Sequence, residues 1–207
     1  MERLTTVFKG RSIAGLFEVY WGRCLLWQRA EDSEKKRLVK IILEHDDILK
    51  RTPPTWSWMA FDGPISFKNL PEGGEVDWNL GGVDGVKLPF GTDTQSSWYW
   101  WVRPANLGRS AAIQAKGFDF NIPATSSGEE YLCCFDDPEN LPADRNEIKC
   151  VIVGSQKWKK KQEGKHYVIF VLKKQNERGV EVYERVGMGH LLGKFIRFES
   201  RFPVSLK

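Results

Sequence analysis

The sequence has few of the residues from which metal sites and common catalytic sites are built. It contains four cysteines and three histidines among 207 residues. The cysteines (Cys24, Cys133, Cys134 and Cys150) lack metal-ligand spacing, and adjacent residues on a strand would point to opposite faces. A phosphate loop, a dinucleotide fingerprint and a nucleophile elbow are also missing. We therefore predict no metal and no cofactor.

Long hydrophobic runs are also missing. The longest, residues 168–172 (VIFVL), is far shorter than the ~20 residues that a membrane-spanning helix needs. No positively charged and then apolar leader opens the sequence. Together with the small number of cysteines, this predicts reduced thiols and a cytoplasmic protein without a transmembrane segment.

The net positive charge is confined to one short stretch. The formal net charge is +4, and residues 157–165 (KWKKKQEGK), with five lysines and one glutamate, account for all of it. Residues 129–147 hold seven acidic residues against Arg145. A nucleic-acid surface needs basic charge spread over a face, so we predict no specific nucleic-acid partner. The run is typical of a solvated loop; with Trp158 inside it, the alternative is a weak contact with an anionic membrane or RNA.

The amino-terminal part predicts a helix followed by a charged stretch. Ser12 is a typical capping residue, and Gly22 is the predicted end of the helix. Residues 24–27 predict a short buried strand, and residues 30–52 predict a charged helical insertion or a linker. The apolar residues at helical spacing are Ile13, Leu16, Phe17 and Tyr20.

Beyond residue 52 the pattern changes to short apolar runs with period two, separated by turn residues. This predicts a mainly β fold, either an antiparallel sandwich or an irregular barrel. We predict a single domain over residues 1–207 with its β core at 53–190. Residues 175–179 predict a hairpin loop. The predicted strands are residues 56–61, 65–67, 76–80, 97–103, 110–120, 130–135, 148–158, 167–174 and 180–188.

Three segments resemble parts of fungal heterokaryon-incompatibility (HET) proteins. Residues 54–64 (PTWSWMAFDGP) resemble the segment that follows the core of those proteins. Residues 14–17 (AGLF) and 25–27 (LLW) are similar to the family's "AGLW…LLW" passage, and residues 183–187 (YERVG) are similar to a strand near its carboxy terminus. Phe17 stands where the family often has Trp, and residues 59–61 replace smaller side chains. The resemblance spans about residues 10–190.

The resemblance implies a carboxy-terminal HET region without the amino-terminal core. In that family an α/β core is linked to incompatibility and cell-death signalling, and no part of this sequence corresponds to it. We therefore expect either a dissected part of a longer protein or a short stand-alone relative. The implied function is a non-catalytic interaction or regulatory module with a protein partner. No catalytic residue of the core can be assigned here.

Aromatic residues point to a different function. The chain has nine Trp, twelve Phe and five Tyr residues. Residues 98–101 (WYWW) would make both faces of a strand aromatic, which fits a strand buried on both sides or a cavity lined by Trp. The second alternative predicts an apolar small molecule in an enclosed cavity of at least ~300 Å³. The predicted ligand-binding residues are Trp56, Trp58, Trp98, Trp100 and Trp101.

Candidates for proton transfer are Asp62, His166 and Glu184. For each there is a structural alternative: a turn cap for Asp62, a structural histidine for His166, and an outward salt bridge for Glu184, as for its neighbour Arg185. If the chain is an enzyme, we expect a cofactor-free cyclase or isomerase of fungal metabolism that relies on shape, desolvation and one of these groups. The module hypothesis instead expects a dense core and an exposed apolar patch.

Overall fold

Most of the regular structure is β-strand, which confirms the predicted mainly β fold. Short helical turns interrupt the strands at a few points. The computed structural model describes residues 12–13, 16–17, 20–30, 38–41, 53–71, 74–78, 113–175, 179 and 181–206.

The amino-terminal half contributes short elements that pair two by two. Antiparallel pairs join β1 with β2, β3 with β6 and β4 with β5. The elements are β1 (Ser12–Ile13), β2 (Leu16–Phe17), α1 (Trp21–Cys24), β3 (Gln28–Arg29), β4 (Val39–Lys40), β5 (Phe61–Asp62) and β6 (Ile65–Ser66).

The helix predicted after Ser12 is wrong in position. Ser12 pairs with Phe17 in the β1–β2 hairpin, and the helix is the single turn α1, which contains Gly22. Leu16 is fully buried whereas Tyr20 is 48% exposed, so the predicted stripe does not face one core. Gly22 lies against the ring of Trp78, where a β-carbon would overlap it. Tertiary packing therefore overrides the local spacing.

Two further predictions for this half need correction. Leu25 and Leu26 lie in a turn, and the predicted short strand begins only at Gln28. The strand predicted over residues 56–61 is largely a 3₁₀ turn, Trp58–Ala60, because the side chain of Ser57 accepts a hydrogen bond from the Met59 amide at 3.0 Å. Only the end of that segment is extended, in β5.

Little of the charged insertion predicted over residues 30–52 falls within the described ranges. Ala30 and residues 38–41 are described, and Val39–Lys40 forms β4 rather than part of a helix. The rest of the insertion lies outside the described residues. The same holds for the strand predicted over residues 97–103.

The remaining strands form one seven-stranded sheet. Five of them, β8, β10, β11, β12 and β13, pair in a ring that closes on itself, while β7 adds to β10 and β9 adds to β12. All pairs are antiparallel except β12–β13, which meet at Tyr183 and Leu206. The strands are β7 (Val76–Trp78), β8 (Ile113–Phe120), β9 (Tyr131–Phe135), β10 (Ile148–Gln156), β11 (Lys165–Gln175), β12 (Glu181–Leu192) and β13 (Ile196–Leu206).

Alternate residues of the long strands enter two apolar clusters. Val151 and Ile169 pack with the amino-terminal segment, including Trp21 and Trp56. The adjacent residues of β10 and β11 point to the opposite face of the sheet. There they pack with residues of β8 and β13 in the second cluster, in which Phe170 is fully buried. Strands buried on both faces explain the near-continuous apolar runs in β10 and β11.

Candidate functional site

The three predicted proton-transfer residues do not share one site. Asp62 is exposed on β5. Glu184 lies on β12 with its carboxylate 3.0 Å from Nζ of Lys40, so it has the outward ion pair that was its structural alternative. His166 is buried and is the second residue of β11. It pairs with Leu191 of β12, which lies seven residues along that strand from Glu184.

The described members of the predicted Trp-rich cavity lie in a packed core. Trp56 is fully buried, with its ring centroid 5.4 Å from that of Trp21. Its carbonyl oxygen accepts a hydrogen bond from Nε1 of Trp27 at 3.0 Å. Trp58 is half-buried against the same cluster. Trp98, Trp100 and Trp101 lie outside the described residues.

Arg185 connects the three segments that carry the family resemblance. Its Nη1 donates to the Leu25 carbonyl at 3.0 Å, and its Nη2 donates to the Trp27 carbonyl. The guanidinium lies 3.4 Å from the centre of the Trp27 ring. The Arg185 amide donates to Oγ1 of Thr55 at 3.2 Å. The side chain of Arg185 therefore fixes residues 25–27 to the sheet, and its backbone amide fixes Thr55.

Asp136 supplies the charge that balances Arg185. Its Oδ1 lies 3.1 Å from Arg185 Nη2, and both side chains are almost fully buried. Burial raises the pKa of the Asp136 carboxyl, and the guanidinium opposes that rise in part. Within the described residues, Asp136 Oδ2 and Arg185 Nε have no hydrogen-bond partner. A pair so enclosed can hold segments together but presents no surface to a ligand.

The turn between β10 and β11 is rich in lysine and mostly exposed, unlike the buried Arg185–Asp136 pair. We call residues 157–164 (KWKKKQEG) the basic loop. Backbone hydrogen bonds define its shape, with the Gly164 amide donating to the Lys160 carbonyl at 2.9 Å and the Lys157 amide to the Glu75 carbonyl at 2.8 Å. Its far side packs on Gly193, where a β-carbon would overlap the Lys161 carbonyl oxygen. The loop is thus held at both ends.

Trp158 projects from the basic loop into solvent. Its side chain is 97% exposed, whereas the other described Trp residues are buried or half-buried. Its φ is +62°, which lies in the left-handed region that a bulky residue rarely adopts. The backbone thus holds a large apolar ring away from the core.

Beneath the loop lies a cleft of about 320 Å³, which we call the basic cleft. Its apolar wall includes Phe198 of β13, with Nζ of Lys161 4.0 Å above the ring. The His166 ring meets Phe198 edge to face at 5.4 Å. The other residues that line it are Asp77, Phe118, Ile152, Ser155, Gln156, Trp158, Lys159, Lys160 and Gly164.

His166 joins the basic cleft to the basic loop. Its Nε2 lies 2.7 Å from the Lys161 carbonyl, which only accepts, so Nε2 carries the proton. Nδ1 then accepts a hydrogen bond from the Ser155 hydroxyl at 2.9 Å. Burial lowers the pKa of His166 and keeps the ring neutral. A neutral imidazole beside a hydroxyl can accept its proton, although here both ring nitrogens bond to the loop and its flanking strand.

Sequence reasoning found His166 and the basic run but not their association. Ser155 and Phe198 also belong to the site, although neither was predicted from the sequence. Ser155 pairs with His166 across the β10–β11 hairpin, so the hairpin register was a usable signal. Phe198 comes from β13, and no local pattern connects it with the loop.

Elsewhere in the described residues, the polar features do not combine an exposed aromatic ring, several lysines and a cleft. A groove of about 500 Å³ near Asn121 and Arg197 contains the exposed ion pair of Lys194 and Glu130. In the described ranges, no three His, Cys, Asp or Glu side chains are grouped so as to hold a metal ion. Burial raises the pKa of Cys133 to about 12, so this thiol is not a ready nucleophile.

Comparison with known proteins gives no relative. The chain matches no protein-family model, no curated protein and no solved structure. Separately, none of the helices in the described part of the chain has the length and apolar character needed to cross a membrane.

Proposed function

We propose that the chain is a non-catalytic binding module that takes an anionic partner on the basic loop and basic cleft. The observation that carries the proposal is Trp158, a 97% exposed indole held among lysines by a left-handed backbone. Exposing such a ring costs hydrophobic free energy, and large aromatic side chains are enriched at contact surfaces.

The charges around the loop are only partly balanced. Lys157 Nζ lies 3.7 Å from Asp77, and Lys160 Nζ lies 3.9 Å from Glu163 with both side chains well exposed. Among the described residues no carboxylate pairs with Lys159 or Lys161. A partner with negative charge would therefore gain attraction without first breaking a strong ion pair.

His166 supports the binding role through its hydrogen bonds. Its Nε2 proton holds the Lys161 carbonyl, and its Nδ1 is occupied by the Ser155 hydroxyl. Both nitrogens are thus used to position the basic loop. We assign His166 to positioning the loop over the cleft rather than to proton transfer in a reaction.

The HET resemblance gives this module a context. We propose that it is a HET-related regulatory module in the fungal cytoplasm, acting with a protein of incompatibility signalling. Its support is that the three resembling segments meet at Arg185, as expected of residues that specify one fold. The free state of all four cysteines fits a reducing compartment.

We also infer that the five-stranded ring is an irregular barrel rather than a sandwich. Each strand of the ring pairs with the next, and β11 pairs with both β10 and β12. A sandwich would leave two separate sheets facing each other. The irregularity is at β12–β13, where one residue pair joins parallel strands.

A second candidate is the apolar small-molecule protein, a cyclase or isomerase included. One observation favours it: buried Trp56 Nε1 has no hydrogen-bond partner among the described residues. A ligand with a hydrogen-bond acceptor could bond to that N–H group. Quenching of Trp fluorescence by hydrophobic polycyclic compounds, lost in Trp100→Ala, would support this candidate. No response from any compound would count against it.

Retention on a heparin column tests the binding module directly. Salt screens the attraction between the loop and heparin and so elutes the protein. Because the variants Trp158→Ala and Lys159→Ala/Lys160→Ala each remove part of the contact, we expect them to elute at a lower salt concentration than the wild type. The matched control is Lys68→Ala/Lys174→Ala, which removes two exposed lysines outside the loop. Equal elution of the loop variant and the control variant would refute the proposal.

A further inference from the structure

We propose that the anionic partner is a membrane surface, with Trp158 seated at the level of the lipid headgroups and the lysines of the basic loop against anionic lipids. This inference rests on the proposed function and names the partner of the same site. It concerns a peripheral contact made by a surface loop. The bilayer is contacted, not crossed.

The position of Trp158 fits a membrane interface. An indole has an apolar body and one N–H donor, and such rings are enriched where hydrocarbon meets water. At 97% exposure, Trp158 can enter the headgroup layer without any movement of the core. Its backbone φ of +62° lies in the left-handed region, and its ring is already outside the core before binding, so no rearrangement of the core is required.

The lysines flank this ring on both sides. Lys157 precedes Trp158, and Lys159, Lys160 and Lys161 follow it. Lysine stems can lie along apolar surface while the ammonium group reaches headgroup phosphates. The side chain of Lys160 is 85% exposed, so desolvation costs little. Each basic residue near an anionic surface contributes roughly fivefold to the partition coefficient.

The distribution of charge favours a membrane over an extended nucleic acid. Nucleic acid binding needs basic charge along a groove or over a face. Here the uncompensated charge is at one protruding turn, and the described stretch 129–147 is acidic by six charges, seven carboxylates against one arginine. A planar anionic surface can contact the single exposed loop that carries this charge.

Sedimentation with lipid vesicles tests this inference. We expect the protein to bind vesicles of phosphatidylcholine with phosphatidylserine, to bind vesicles of phosphatidylcholine alone much more weakly, and to be released by added salt. Lys159→Ala/Lys160→Ala should lower the partition coefficient roughly 25-fold. Trp158→Ala should lower it about tenfold or more, and Trp158→Phe should restore part of the loss.

Controls separate loss of binding from loss of folding. The three loop substitutions lie on exposed side chains, so thermal unfolding should change little, and Lys68→Ala/Lys174→Ala should bind vesicles like wild type. In the wild type but not in Trp158→Phe, brominated lipids should quench an added component of Trp emission. Vesicle binding that is equal for the loop variants and the control overturns the inference.

Combining this result with the heparin test distinguishes the two proposals. Loop-dependent retention on heparin without binding to phosphatidylserine vesicles leaves the binding module standing and overturns the membrane partner. Tight, loop-dependent binding of single-stranded RNA with no vesicle binding also overturns it, in favour of nucleic acid. Heparin retention that does not depend on the loop removes the basis of both proposals.

Discussion

Glu184 and Arg185 are neighbours on β12 but face opposite environments. Glu184 pairs with Lys40 at the surface, while Arg185 and Asp136 pair inside the protein. Removing Arg185 leaves a buried carboxylate without its counter-charge, and frees the Leu25 and Trp27 carbonyls. We expect Arg185→Ala to lower the free energy of unfolding by ~3–5 kcal/mol. Urea unfolding followed by Trp fluorescence measures the change.

Glu184→Ala is the matched control for that experiment. The exposed Lys40–Glu184 pair should contribute less than about 1 kcal/mol. A double variant, Arg185→Met with Asp136→Leu, should recover part of the stability lost in Arg185→Ala because it removes both charges. Similar losses for Glu184→Ala and Arg185→Ala would contradict the assigned roles.

The pKa of His166 has a consequence for stability. Burial lowers that pKa from its ordinary value of 6.5, so the unfolded chain binds a proton more readily than the folded one. The free energy of unfolding should therefore fall as pH drops below about 6.5, and His166 should have no effect above it. His190, whose pKa burial also lowers, acts in the same direction.

Comparing variants isolates the contribution of His166. Urea unfolding at several pH values from 5 to 7.5 should show a shallower decline for His166→Gln than for wild type, since glutamine does not titrate. All other titrating groups are common to the two proteins and cancel in the comparison. Identical slopes would show that His166 is not held neutral by burial.

At the scale of elements, the basic loop combines binding with local backbone strain. A left-handed residue with a β-carbon is disfavoured relative to glycine, so Trp158→Gly should be more stable than Trp158→Ala by about 1 kcal/mol. Both variants should bind vesicles and heparin more weakly than the wild type. Thermal unfolding compares the two directly. Equal stability would contradict the left-handed conformation of residue 158.

The central hairpins could be predicted because they are specified by neighbouring residues in the sequence. Period-two alternation with turn residues between the runs predicts the β10–β11–β12 meander, and its observed bounds differ from the predicted ones by a few residues. β13 was missed: Arg197, Glu199 and Arg201 are exposed, and the strand is stabilised by distant pairing with β8. Similarly, helical spacing after Ser12 could not reveal that Leu16 lies on β2, paired with β1.

The candidate site was only partly predictable because it also depends on contacts between residues that are distant in sequence. The lysine run and His166 are visible in the sequence, but the cleft forms because Phe198 comes beneath the loop from β13. Likewise, the YERVG segment suggested an outward salt bridge for both Glu184 and Arg185. Only Glu184 has one, because Asp136, 49 residues away, makes burial of Arg185 tolerable.

At the scale of the whole molecule, structural and binding roles are separated in space. The amino-terminal segments and the Arg185–Asp136 pair stabilise one side of the strand ring. The basic loop lies at the other end of β11, where it is connected to the core through His166 and Gly193. Variants of the loop should therefore alter binding with little effect on folding, and variants of Arg185 should do the reverse.

Hydrogen exchange of the whole chain tests the binding surface most directly. Amide exchange would be measured by mass spectrometry with and without a heparin oligosaccharide as the anionic probe. We expect slower exchange in peptides covering residues 155–166, and no slowing there in Lys159→Ala/Lys160→Ala. Binding of the probe with slowing confined to residues 81–112, or to any region apart from the loop, would contradict a binding module built on the basic loop.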